Sequence, residues 1–205
     1  MNRKLKTVLC AALVLLLMFS CCCVSFADEP MPVTVKAKAA VLMDVDSGKV
    51  LMSMNADEKL YPASVTKIMT LLLVTEALDS GKISLSDTVT ASASAASKGG
   101  SQIWLKEGEQ MRVEDLIKAV CIVSGNDAAD ALARYTAGSI EDFAALMNEK
   151  AQNLGMTNSS FSNPHGLDAE DHYSTARDMA VLMDYCMSNE DFVRIISASS
   201  RQVGE

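Results

Sequence analysis

Pro62-Ala63-Ser64-Val65-Thr66-Lys67-Ile68-Met69-Thr70, continuing through Leu71-Leu72-Leu73-Val74-Thr75-Glu76-Ala77-Leu78, decides how the rest of the chain is read. Residues 68–78 are nearly all apolar and Gly81 follows them, so the run predicts a buried helix opened by Pro62 and ended near Gly81. Positions i and i+3 of a helix share a face about one turn apart, which brings the Lys67 amine within reach of the Ser64 hydroxyl. This pair reads as an acylatable serine with its own lysine base, placed at the N-terminus of the helix. Desolvation and the positive end of the helix dipole disfavour the ammonium and lower the lysine pKa. The same dipole stabilises negative charge developing beside Ser64.

Working outward, Ser124-Gly125-Asn126 supplies a second arm. Residues 113–123 carry helical periodicity, the tripeptide interrupts it, and 127–135 resumes it. A glycine-containing break between two helices is where side chains can turn into a cleft, although Asn126 also suits a helix cap. Neither pattern is specific alone. With 22 Ser, 12 Lys and 8 Asn in 205 residues, chance placement gives about one Ser-x-x-Lys and about one Ser-x-Asn. Ser53-Met54-Asn55 also fits the second pattern, but it lies inside an alternating, strand-like stretch too near Ser64 to form an independent arm.

The matching residues extend beyond these two motifs. They include Ala40-Val41-Leu42-Met43-Asp44 with Gly48-Lys49-Val50-Leu51, Ser124-Gly125-Asn126-Asp127-Ala128-Ala129, Asn163-Pro164-His165-Gly166-Leu167 and His172-Tyr173-Ser174-Thr175-Ala176. Over residues 37–200 the chain resembles the low-molecular-mass penicillin-binding proteins, the serine-type D-alanyl-D-alanine carboxypeptidases (peptidase S11 family) of peptidoglycan metabolism. The resemblance implies an α+β fold of the serine β-lactamase/penicillin-binding-protein type, an all-helical lobe beside an antiparallel sheet. This chain is expected to supply an incomplete version, the helical lobe and only the first two strands.

The resemblance also assigns roles. Ser64 is the nucleophile, Lys67 its base, Ser124 the relay that protonates the leaving amine, and Asn126 the holder of the substrate amide, with the Ser64 backbone N–H as half of the oxyanion hole. The implied substrate is the peptidoglycan pentapeptide, with β-lactams as covalent inhibitors, no metal and no organic cofactor. Two alternatives stay open: a class A-like β-lactamase, for which Glu170 is the candidate deacylating carboxylate, and a non-catalytic cell-wall binding protein. His165 and His172 read as structural, because the Ser-Lys pair already supplies a base and residues 163–166 read as a turn. Arg177 reads as a surface or ion-pair residue.

One departure stands out. The family's third motif, Lys-Thr-Gly, does not occur; the only Lys-Thr, Lys6-Thr7, is followed by Val8. With it go a cation for the substrate carboxylate and the second N–H of the oxyanion hole. In the family this motif follows the Ser-x-Asn by roughly a hundred residues, whereas 81 residues follow Ser124 here. The sequence-level expectation is therefore a chain that stops in mid-domain and is nearly inactive as it stands. Peripheral membrane association is assigned to a missing C-terminal segment.

Residues 1–27 read as a secretory signal peptide: Arg3, Lys4 and Lys6 precede an apolar stretch over 8–19, and Ser25-Phe26-Ala27 offers small residues at the cleavage site. An extracytoplasmic, cell-envelope location follows. Residues 28–205 then form one partial catalytic domain with 15 basic and 26 acidic residues, a net charge of −11 that argues against a nucleic-acid partner. Removal of the leader leaves Cys121 and Cys186, neither a disulfide framework nor a zinc pattern, and both are expected to be buried inert thiols. Within the domain, 39–45 and 49–55 predict a hairpin around Asp46-Ser47-Gly48. Helices are expected at 113–123, 127–135, 141–154 with Ser139 as cap and Gly155 as stop, and 175–187 with Ser174 as cap. Residues 83–108, which include Trp104, predict loops with short pieces of strand or helix.

Overall fold

The computed structural model describes residues 35–197. The signal-peptide expectation for residues 1–27 lies outside them. The architecture is α+β. Strands β1 (Ala40–Met43) and β2 (Val50–Met54) pair antiparallel, with Ala40 opposite Met54 and Leu42 opposite Met52. The expected turn closes them: the Gly48 N–H donates to the Asp44 carbonyl at 2.8 Å, and the Ser47 N–H donates to the Asp44 carboxylate at 2.9 Å.

Helix α1 (Lys67–Asp79) is the axis of the molecule. Met69, Leu72 and Val74 are fully buried, and it packs against α3 (Val113–Val123), α4 (Asn126–Ala137), α5 (Ile140–Asn153), α6 (Ala176–Met187) and α7 (Glu190–Ile196). A helix surrounded in this way needs apolar residues on every side, which is why its sequence shows a continuous run instead of a stripe. Phe143, Met147, Phe161, Leu182 and Phe192 complete the core around it.

Several expectations need correction. Ser64 does not sit on the α-helix. Residues Ala63–Thr66 form a 3-10 turn and the α-helix begins at Lys67, because Ala63 takes a left-handed φ of 47° that a regular first turn cannot accommodate. A second two-stranded sheet joins β3 (Thr88–Thr90) to β4 (Gln110–Arg112), with Val89 opposite Met111. A one-turn helix, α2 (Ala93–Ala96), lies between them in sequence. The cap of α6 is Thr175, not Ser174: the Thr175 hydroxyl accepts from the Asp178 N–H at 3.0 Å, whereas Ser174 is engaged in a backbone bridge with Leu60. Helix α7, not anticipated, is capped by Asn189.

The bridges Leu60–Ser174 and Ser160–Tyr173 bring three distant segments side by side. Residues 161–172 therefore leave and re-enter next to the 3-10 turn that carries Ser64. Among the described residues no helix is long and apolar enough to cross a membrane.

Candidate active site

Ser64 is exposed on its 3-10 turn, and Lys67, one turn later, is buried at 4 % exposure. The amine Nζ lies 3.1 Å from Ser64 Oγ, 2.7 Å from Asn126 Oδ1 and 2.7 Å from the His165 carbonyl oxygen. Burial lowers the Lys67 pKa to about 8, so a sizeable neutral fraction exists near neutrality. The acceptors give that neutral form a direction. An uncharged amine has two hydrogens and one lone pair; Asn126 Oδ1 and the His165 carbonyl accept the two hydrogens, which leaves the lone pair facing the Ser64 hydroxyl.

Asn126 joins three segments. Its carboxamide Nδ2 donates to the Gly99 carbonyl at 2.7 Å and its backbone N–H donates to the Ser101 carbonyl at 2.7 Å. Its side chain is not the cap of α4, where no side-chain capping bond forms. Ser124 takes the left-handed conformation, φ 56° and ψ 39°, at the C-terminus of α3. Its buried Oγ has no hydrogen-bond partner. Ser64, Lys67 and Ser124 line one cavity of about 220 Å³ together with Ile68, Leu71, Val120, Cys121 and Ile196. All four residues singled out from the sequence thus meet: three line the cavity, and Asn126 holds the amine.

A supporting row of contacts was not legible from residue types. Residues 162–167 run alongside the nucleophile segment: the Pro164 carbonyl accepts from Thr70 Oγ1 at 2.6 Å, the His165 carbonyl from Lys67, and Gly166 packs against Ala63. Backbone carbonyls at positions 99 and 165 carry no side-chain signature; only the Asn163-Pro164-His165-Gly166 turn hinted at the second of them.

The histidines are structural participants. His172, fully buried, accepts the Ser162 N–H at Nδ1 (3.1 Å), so its Nε2–H donates to Thr66 Oγ1 at 2.8 Å, two residues from the nucleophile. Burial lowers its pKa, and burial together with the nearby Lys98 charge lowers that of His165 to about 4. Glu170, the carboxylate on which the β-lactamase alternative rests, is exposed. Arg177 forms a two-pronged ion pair with Asp57 at 2.6 and 2.9 Å. Cys121 and Cys186, the two cysteines among the described residues, are free thiols. Burial raises Cys186 to about 12 and Cys121 to about 11, although Cys121 is only half-buried and faces the cavity.

Residues 25–202 match the model of the family Peptidase_S11, D-alanyl-D-alanine carboxypeptidase. The D-alanyl-D-alanine carboxypeptidase DacF of Bacillus subtilis is 46 % identical over 194 residues, covering 95 % of this chain and 50 % of that protein. The D-alanyl-D-alanine carboxypeptidase DacC of Escherichia coli is 54 % identical over 155 residues, covering 73 % and 39 %. Among solved structures, penicillin binding protein 5 from Haemophilus influenzae superposes with a TM-score of 0.77 at 39 % identity, covering 82 % of this chain and 50 % of that one. Penicillin-Binding Protein D2 from Listeria monocytogenes, in the ampicillin-bound form, superposes with a TM-score of 0.68 at 30 % identity, covering 77 % and 64 %. The chain spans about half the length, or less, of the curated relatives it matches. On sequence, fold and the meeting of its two motifs, this chain belongs to the peptidase S11 family of D-alanyl-D-alanine carboxypeptidases.

Proposed function

We propose that the protein is a serine-type D-alanyl-D-alanine carboxypeptidase that removes the terminal D-alanine from peptidoglycan stem peptides, and that β-lactams acylate the same serine. The observation that carries this reading is the buried Lys67 amine, 3.1 Å from Ser64 Oγ, with both of its neutral-state hydrogens committed to Asn126 and His165. Such an amine can take the Ser64 proton as Oγ bonds to the carbonyl carbon of the penultimate D-alanine. The C–N bond to the terminal D-alanine then breaks. The proton reaches the leaving amine through Ser124, whose buried hydroxyl has no protein partner to compete with that transfer. Water hydrolyses the ester by the reverse proton path.

Asn126 retains one carboxamide hydrogen and one carbonyl lone pair beyond its bonds to Gly99 and Lys67, and these are the groups offered to the substrate amide. The Ser64 N–H is one donor to the oxyanion. The names of the relatives support the choice of reaction, and the ampicillin-bound form of a structural neighbour supports the choice of inhibitor. Export, with residues 1–27 as the leader, belongs to the same proposal.

The test is covalent labelling of the full-length protein by a fluorescent penicillin. Ser64→Ala is expected to abolish labelling while leaving the circular-dichroism spectrum intact, and Lys67→Ala to suppress it. Undiminished labelling of Ser64→Ala would remove the assignment.

A further inference from the structure

Trp104, the one tryptophan of the chain, is 75 % exposed and takes φ of 65°. A bulky side chain in the left-handed region is an outlier that persists only where its surroundings impose it. Here the imposing group is identifiable. The fully buried Asp127 carboxylate accepts the N–H groups on both sides of the tryptophan, Ile103 at 3.1 Å and Leu105 at 3.0 Å on Oδ2, with Ile103 also 3.2 Å from Oδ1. Leu105 is buried and Ile103 packs on the core. Of the three residues, the carboxylate turns only the indole outward.

The segment that presents this ring is continuous with the active site. Asp127 follows Asn126, which contacts Lys67 and binds the carbonyls of Gly99 and Ser101. Gly100 is pressed against the Asn126 carboxamide, 2.7 Å from where a β-carbon would stand, and faces the exposed Leu167 across the rim. Trp104 lies three residues beyond Ser101, so its Cα is at most about 11 Å from that of Ser101. Anchored at Ser64 through the carbonyl of its penultimate residue, a pentapeptide has four residues on the upstream side, which extend at most about 14 Å toward this rim.

We infer that Trp104 is a specificity-determining contact for the substrate, an aromatic platform for the part of the stem peptide upstream of the D-alanyl-D-alanine pair. This rests on the proposed carboxypeptidase reading. Indole supplies a large rigid apolar face at low entropic cost, suited to aliphatic side chains or the methylene stem of a diamino acid.

Two measurements test it. In the first, kcat/KM is compared for a synthetic pentapeptide and for N-acetyl-D-alanyl-D-alanine. Trp104→Asn, which tolerates a positive φ, is expected to lower the pentapeptide-to-dipeptide ratio roughly three- to tenfold, with Trp104→Phe intermediate. An equal loss on both substrates, or no loss, overturns the inference. In the second, indole emission is read in the Ser64→Ala background as the difference from Ser64→Ala/Trp104→Phe. The pentapeptide is expected to shift it to the blue and the acetyl dipeptide to leave it in place. A pentapeptide that binds with no blue shift overturns the inference even if turnover is slow. Failure of the unaltered protein to be labelled by penicillin would instead count against the carboxypeptidase reading, and the emission measurement, which needs no chemistry, still decides for or against the platform.

Discussion

Gly166 and Ala63 approach so closely that a β-carbon built on Gly166 would lie 1.8 Å from the Ala63 carbonyl oxygen and 2.9 Å from Thr66 Oγ1. Ala63 itself has φ of 47° and immediately precedes the nucleophile, while Gly166 has φ of 88°. The bend that lifts Ser64 out of the helix is thus backed by a residue that can only be glycine.

Gly166→Ala must displace the 62–66 backbone, and displacements of about 1 Å near reacting atoms cost about a hundredfold in rate. The expected outcome is a fall of that order in the rate of penicillin acylation, measured by quenched-flow labelling, together with a lower Tm. Gly81→Ala is the control. Gly81 has a similar φ of 71° but open space around it, so its cost is limited to about 1–2 kcal/mol of left-handed strain without a change in labelling.

The acylation rate is expected to rise with pH through about 8, where the Lys67 ammonium gives up its proton. The sign follows from the role: only the neutral amine can accept the Ser64 proton, and burial disfavours the charged form. Asn126→Asp would place a carboxylate beside Nζ in place of the carboxamide oxygen at 2.7 Å. That variant should move the midpoint upward, as opposite charge stabilises the ammonium. A midpoint unmoved in Asn126→Asp would show that the titrating group is not Lys67.

Stability is expected to fall on acidification between pH 6.5 and about 4. His165 has its pKa lowered to about 4 in the fold, and that of His172 is also lowered, so over this range the unfolded chain binds protons that the folded chain does not. The histidine contribution is complete above pH 6.5 and is lost as pH drops toward the folded values. For His165 the loss amounts to roughly 3 kcal/mol. Urea unfolding across this range should show a shallower pH slope in His165→Asn than in the unaltered protein.

The thiols should discriminate native from unfolded chains. With its pKa raised to about 11, Cys121 is expected to react with N-ethylmaleimide at pH 7 roughly a hundredfold more slowly than an ordinary cysteine. Buried Cys186 should react only on unfolding. Because Cys121 lines the same cavity as Ser64, prior penicillin acylation should protect it further; mass spectrometry of the alkylated peptides reads both effects.

Much of this was legible in the sequence where one periodicity or one capping residue dominates. The hairpin β1–β2 alternates around Asp46-Ser47-Gly48, α1 follows its apolar run, and α5 begins at the Ser139 hydroxyl, which accepts from the Asp142 N–H, and stops before Gly155 at φ of 76°. Strands β3 and β4, of three residues each, are too short to show a period, and their pairing depends on a partner some twenty residues away. The 3-10 turn under Ser64 was invisible because the left-handed Ala63 that sets it is backed by Gly166, a hundred positions downstream. Within the site, side chains could be nominated from their chemistry. The carbonyls of Gly99 and His165, which orient Asn126 and Lys67, could not, since every residue has a carbonyl and only the fold selects which one is aimed.

The bonds that hold Lys67 and Asn126 span 27, 59 and 98 residues of sequence, and those that brace Thr66 and Thr70 span 106 and 94. Contacts of such separation form only after the intervening chain has been ordered and its closure entropy overcome. Ser64 therefore becomes a nucleophile late in folding, when the last of these loops closes, and a partly collapsed chain holds an ordinary serine. A β-lactam added during refolding would accordingly count finished molecules, and its labelling curve would trace the slowest assembly step.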